Sequence, residues 1–101
     1  MATTDLDRCL NLLRRVEPEL RSRGVLHAAL FGSVARGEAT DESDVDVLVE
    51  LDPERHLNLY EYAALRLFLE DLIGRRTDLA DRKNLHRYLR ESILAEAVRA
   101  F

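Results

Sequence analysis

The residues with the plainest chemical content are Asp44 and Asp46, set two apart in the run Ser43-Asp44-Val45-Asp46-Val47-Leu48-Val49. Acids alternating with valines predict a strand, and strand side chains alternate between faces. The two acids therefore point the same way, with Cα atoms about 6.6 Å apart, while Val45, Val47 and Val49 enter a core. Two parallel carboxylates at that spacing suit a hard divalent cation such as Mg2+, which takes oxygen ligands and keeps positions for a substrate phosphate. The stretch Leu30-Phe31-Gly32-Ser33-Val34-Ala35-Arg36-Gly37 supplies the matching half. Gly32 lets the chain turn sharply and a ligand approach the backbone. Ser33 offers a hydroxyl beside the free N–H groups of a helix start, where partial positive charge favours phosphate. Gly37 reads as the C-cap of a helix about one turn long. Ten residues separate Ser33 from Asp44, giving the pattern Gly-Ser-x10-Asp-x-Asp.

Other residues extend this pair of half-sites. Arg36 either contacts a phosphate or pairs with a local acid such as Glu38. A short strand predicted over Arg75–Ala80 carries Asp78, and a sheet edge beside Asp44 and Asp46 would bring a third carboxylate to them. Asp81 is the rival, in a turn where it would instead cap the final helix. Asp41 and Glu42 fall in the polar loop between the half-sites and read as solvated. His27, alone in an apolar strand, reads as a core group outside the site.

The elements that must hold these residues follow from hydrophobic periodicity. Thr4 is an N-cap with Asp5 and Asp7 in the first turn, and Leu6, Cys9, Leu10, Leu13, Val16 and Leu20 form the helical stripe behind it. Pro18 interrupts that stripe, as a kink or as the start of a second short helix. Val25–Phe31 is a buried strand delivering the Gly-Ser turn. Asp52-Pro53 ends the strand of Asp44–Leu51, since proline donates no ladder hydrogen bond. A long helix over Leu57–Gly74 buries Leu65, Phe68, Leu69, Leu72 and Ile73, and Tyr60 and Tyr62 read as packing residues. The last helix, over Lys83–Ala100, carries a wide stripe of Leu85, Leu89, Ile93 and Ala97, with Leu94, Val98 and Phe101 beside it. The expected fold is α/β (α+β): one domain over residues 1–101, with a small mixed sheet packed against three to four helices.

Composition narrows the function classes. The chain has 101 residues, 47% hydrophobic and 34% charged, which fits a folded chain and not a disordered one. No apolar run approaches the ~20 residues that span a bilayer, and no signal peptide is recognisable, so no membrane partner is expected. Cys9 is the single cysteine and reads as a small buried hydrophobe, so a reducing, cytoplasmic setting is expected. The net charge of −4 divides into −6 over residues 1–65 and +2 over residues 66–101. The strong basic excess of a nucleic-acid binder is missing, so no direct nucleic-acid partner is expected.

Gly32-Ser33, Ala35-Arg36-Gly37 and Ser43-Asp44-Val45-Asp46 together resemble the signature of the DNA polymerase beta-type nucleotidyltransferase superfamily. In size and layout the chain is similar to its minimal nucleotidyltransferase (MNT) members, the antitoxin halves of HEPN/MNT toxin–antitoxin pairs. The resemblance implies a palm-type sheet, two Mg2+ ions held by Asp44, Asp46 and Asp78, and ATP as substrate with Gly32, Ser33 and Arg36 on its phosphates. It also implies that a third acid such as Asp78 completes the metal site or accepts the acceptor's proton. The implied reaction is transfer of AMP to a tyrosine hydroxyl of a partner HEPN RNase toxin, in a hetero-oligomer with that toxin, which blocks an RNA-binding cleft with added charge and bulk. Two other readings are an antitoxin that acts by docking alone and a nucleotidyltransferase for a small-molecule hydroxyl. The intact acid pair weighs against the first, and the lack of a second substrate-gripping domain weighs against the second.

Overall fold

The structure, a computed structural model, describes residues 4–101. In chain order the elements are α1 (Asp5–Arg15), α2 (Glu17–Ser22), β1 (Val25–Phe31), α3 (Gly32–Arg36), β2 (Val45–Leu51), α4 (Leu59–Ile73), β3 (Thr77–Asp81), a 3-10 turn (Arg82–Asn84), α5 (Arg87–Glu96) and β4 (Val98–Arg99). The four strands lie in the order β3-β2-β1-β4. β1 runs antiparallel to both β2 and β4, whereas β3 runs parallel to β2. A parallel neighbour needs a long crossover, and α4 provides it.

Local chemistry explains the element ends. The Thr4 side chain accepts the Asp7 N–H at 3.0 Å and starts α1. Pro18 sits in the first turn of α2, where its missing N–H costs nothing, so the opening stripe becomes two helices. Asn58 and Glu61 form a reciprocal capping box at the start of α4, and Gly74 ends it in the left-handed conformation at φ 79°.

One sheet face carries the core. Val45, Val47 and Val49 of β2 and Val25, Ala28 and Leu30 of β1 meet Cys9, Leu10 and Leu13 of α1, Leu20 of α2, and Leu65, Leu69 and Ile73 of α4. Most of these side chains are fully buried, so truncating one such as Leu65 to alanine costs about 2–5 kcal/mol. Along β2 the opposite face presents Asp46, Leu48 and Glu50 by strand alternation, and Asp44 stands immediately before the strand.

Three expectations are corrected. Among the described residues there are five α-helices and not three to four: Pro18 starts a second short helix, one of the two outcomes expected of it, and the one-turn helix expected after Gly32 is present. The third strand covers Thr77–Asp81 and takes in Asp81. The last helix stops at Glu96, and Val98 lies in β4, where Val98 and Arg99 pair with Leu30 and Ala29. The backbone of Ala97 is extended, at φ −62° and ψ 133°. The apolar stripe near the end of the chain serves a strand as well as a helix, and side-chain pattern alone does not separate them.

Candidate active site

Strand register gathers the acids. In the parallel pair of β2 and β3, Val45 faces Thr77 and Asp46 faces Asp78. Neighbouring strands are about 4.8 Å apart, so Asp46 and Asp78 stand side by side on one face, with Asp44 two residues before Asp46 on that same face. Asp81 falls on the other face by alternation. Its side chain accepts the Lys83 N–H at 3.0 Å and so caps the 3-10 turn.

The acids repel one another. Asp46 is half-buried, and its carboxyl is held above the ordinary aspartate range, first by loss of solvent and then by the charges of Asp78 and Asp44. Asp44 meets only a distant cation, Arg76 Nε at 3.9 Å, and Asp78 is exposed. Among the described residues no three acidic, His or Cys side chains converge tightly enough to hold a metal as they stand. The donor set nevertheless fits a hard divalent cation: three oxygen-bearing side chains on one face, with only the distant Arg76 paired to one of them, at an accessible edge.

Gly32 completes the geometry from the other side. Its φ is 72°, the left-handed region that glycine enters readily. A Cβ placed there would stand 2.0 Å from Asp46 Oδ2, well inside van der Waals contact. The missing side chain is therefore the space that the Asp46 carboxylate occupies. Ser33 follows, half-buried, in the first turn of α3. Gly37 ends that helix at φ 74°, with the Glu38 N–H donating to the Ser33 carbonyl at 2.9 Å.

Glu96, which the sequence reading passed over, ties α5 to this turn. Its carboxylate accepts the Gly32 N–H at 2.9 Å and an Arg36 N–H at 3.0 Å. Those contacts, the backbone one foremost, hold the Glu96 carboxyl below the usual glutamate range. Arg36 also donates to Glu38 at 3.1 Å, so the local pairing expected for it is present, alongside a longer-range one to Glu96. The Gly32 N–H expected to be free for phosphate is thus occupied by a carboxylate. Sixty-four residues separate the partners, and no local pattern connects them.

Arg75 is a second residue with no obvious sequence signal. Its guanidinium binds Asp5 at 2.5 Å and the backbone carbonyls of Ser43 at 2.7 Å and Thr40 at 2.9 Å. It pins the loop before Asp44 to α1. His27 stays outside the acid cluster, but it is not the core group expected: its side chain is partly exposed, and its ring meets Arg99 at 2.9 Å and Glu50 at 3.9 Å.

Known proteins resemble this chain in sequence and in fold. A provisionally named protein adenylyltransferase of Methanocaldococcus jannaschii is 40% identical over 84 residues, covering 81% of this chain and 84% of its own. Protein adenylyltransferase MntA of Thermococcus cleftensis is 37% identical over 99 residues, covering 97% of this chain and 98% of its own. A solved structure provisionally described as a minimal nucleotidyltransferase superposes with TM-score 0.75 at 38% identity, covering 97% of this chain and 98% of that one. The fold is shared more distantly, at 18% identity and TM-score 0.64, with a complex of a tri-AMPylated Shewanella oneidensis HEPN toxin and MNT antitoxin, over 91% of this chain and 71% of that one. The nucleotidyltransferase domain family matches residues 13–100, nearly the whole described fold, and the chain belongs to that family.

Proposed function

We propose that the chain is an antitoxin that uses Mg2+ to transfer AMP from ATP to a tyrosine hydroxyl on a partner HEPN toxin. The single observation that carries the chemistry is the parallel register setting Asp78 beside Asp46 on the face where Gly32 opens space for the Asp46 carboxylate. The acceptor and the nucleotide rest on likeness: the Thermococcus relative is named a protein adenylyltransferase, and the Shewanella complex holds an AMPylated HEPN toxin.

In this reading Asp44, Asp46 and Asp78 hold the metal, and Gly32, Ser33 and Arg36 hold the triphosphate. Bound Mg2+ supplies positive charge against the phosphates and stabilises the entering and leaving oxygens. The acceptor oxygen forms a bond to the α-phosphorus, the bond from that phosphorus to the β-phosphate oxygen breaks, and pyrophosphate leaves. Of the three carboxylates Asp78 is the most exposed and so the most open to an incoming acceptor, and in this reading it takes the hydroxyl proton. The Arg36 guanidinium offers the leaving phosphates charge-assisted hydrogen bonds once Glu96 releases it.

Exposed apolar groups support a protein acceptor. Tyr88 and Leu89 in the first turn of α5 are 74% and 56% exposed, a bare surface on the helix whose other end carries Glu96, suited to a partner chain. The same surface favours a second reading, neutralisation by docking without chemistry. Incubation with ATP, Mg2+ and the protein encoded beside this chain, followed by intact mass measurement of that protein, separates the two. The expected result is a gain of one or more AMP units, lost when Asp44 and Asp46 are both replaced by alanine. Neutralisation that survives this double substitution without any mass gain selects docking instead.

A further inference from the structure

Beneath α5, on the same sheet face as the acids, lies a cleft of about 150 Å³ that the site described above does not use. We propose that it is the subsite for the nucleobase of the nucleoside triphosphate, a deepening that rests on the nucleotidyl-transfer reading.

Its position follows from the register. The next residue after Asp46 on the same face of β2 is Leu48, about 6.6 Å further along. Leu48 is flanked by Ala29 on β1 and Ala80 on β3. Directly beyond the carboxylates, therefore, the floor turns from acidic to small and apolar. Leu94 and Ala97 at the end of α5 form the opposite wall. Alanines at 29 and 97 leave the space open, where larger side chains would fill it. The cleft is open to solvent and lined also by His27 and Arg99, with mostly apolar walls, and its volume suffices for one planar ring: a cavity of ~150 Å³ in another protein's core takes up benzene.

The order of chemistry along the sheet matches the order of groups in a nucleotide. The Gly32–Arg36 turn lies at the end of β1, the acids flank its last residue, and the cleft lies further back along the strands. With the β- and γ-phosphates at the turn and the α-phosphate at the acids, the ribose and base continue toward Leu48. The outward direction, across exposed Asp78, is left to the acceptor. The far rim carries a carboxylate and a guanidinium, Glu50 and Arg82, at 3.6 Å. Both are partly exposed, and solvent weakens such a pair, so a ligand separates it at little cost. Glu50 then accepts from an exocyclic amine and Arg82 donates to a ring nitrogen or carbonyl. A ring in the cleft thus gains apolar burial from its faces and recognition at its edge.

The test compares a ligand with a base against one without. Binding of ATP and of inorganic tripolyphosphate, each with Mg2+, is measured by calorimetry on the full chain and on Ala97→Leu, which fills the cleft. ATP binds tighter than tripolyphosphate to the unaltered chain, and Ala97→Leu lowers ATP affinity at least tenfold while leaving tripolyphosphate within twofold. Equal weakening of both ligands, or of neither, overturns the proposal, as does equal affinity for the two in the unaltered chain. Binding of neither by the unaltered chain removes the catalytic reading itself, and the cleft with it. Should Ala97→Leu fail to fold, the rim variant Glu50→Gln decides, being a surface change. A severalfold shift in preference between ATP and UTP supports the subsite, and an unchanged preference overturns it. If Ala97→Leu spares ATP binding but slows transfer to a protein acceptor, the occupant is the acceptor, and the base assignment falls.

Discussion

Asp46 on β2 and Asp78 on β3 stand opposite each other in parallel register, two like charges held side by side by strands that come together from 32 residues apart in sequence. Each strand presses its other face into the core through Val45, Val47 and Thr77, all fully buried. Backbone pairing and valine burial thus hold together what the carboxylates would drive apart. A fold that keeps such a cluster with only a distant arginine, Arg76 at 3.9 Å from Asp44, to offset it gives up stability there, and a bound cation would recover the deficit.

That deficit is measurable. The Asp46 carboxyl lies above its unfolded range, so the folded chain binds this proton more tightly than the unfolded one. The contribution of this group therefore favours folding at low pH, below the ordinary aspartate range, and is lost as pH rises through the raised value. Asp46→Asn should accordingly raise the thermal midpoint by a few degrees at pH 7, less at pH 4, while abolishing nucleotidyl transfer. Millimolar Mg2+ should raise the midpoint of the unaltered chain at pH 7 and leave that of Asp46→Asn unmoved. Scanning calorimetry at the two pH values, with and without Mg2+, checks each sign.

Gly32→Ala tests the close approach directly. The new methyl would need the left-handed conformation and would collide with Asp46 Oδ2. The backbone strain alone costs about 1–2 kcal/mol. Expected is a fall in activity of at least a hundredfold, larger than the loss of stability explains, because the displaced group is a proposed metal ligand. Activity measured well below the variant's thermal midpoint separates these effects, and a variant with near-native turnover would refute the packing of Gly32 on Asp46.

Most of the site was legible in sequence because its information is local. Ser33 and Asp44 sit on either side of one loop, and the period of two in Asp44–Val49 gives the shared face of both acids. Asp78 was reachable only through its place after the long helix; the register that sets it beside Asp46, and by alternation turns Asp81 to the other face, belongs to the assembled sheet. Glu96 and Arg75 were not reachable, since each acts on a segment tens of residues away through a side chain whose local surroundings look like ordinary surface. The end of α5 was misread for a related reason. Ala97, Val98 and Ala100 suit a helix stripe and an edge strand equally, and only the open edge of β1 decides for the strand.

Glu96 gives a prediction with opposite signs for its two possible roles. Its carboxylate occupies the Gly32 N–H and an Arg36 N–H, groups that the proposed triphosphate would use. Since its carboxyl titrates below the usual glutamate range, it is ionised at neutral pH, and the stability its contacts add is lost only as pH falls through that lowered value. As a competitor for those donors, Glu96→Gln should lower KM for ATP severalfold with kcat within twofold. As a support for the turn, it should lower kcat and leave KM alone. Steady-state kinetics at saturating acceptor distinguish the two, and the overlap of carboxylate and phosphate positions favours the first.

Arg75 is the anchor of the loop that presents Asp44. Its side chain is 13% exposed and satisfies the Ser43 and Thr40 carbonyls while pairing with Asp5, whose carboxyl it holds below the ordinary range. Arg75→Met keeps much of the buried stem but strips the Ser43 carbonyl of its charged donor, and leaves Asp5 with Arg8 alone and the Thr40 carbonyl with the Ser43 N–H alone. Charged hydrogen bonds of this kind are worth about 1.5–3 kcal/mol, so the variant should lose roughly 2 kcal/mol and some 10 °C in thermal midpoint. The loss should be greatest at neutral pH and shrink as pH falls through the lowered Asp5 value, because protonation of Asp5 removes the ion pair from the unaltered chain as well. Amide exchange should quicken across residues 40–44 well before it quickens in β2, since β2 keeps its core valines. Uniform acceleration over loop and strand alike would show that Arg75 supports the whole domain and not the acid-bearing loop.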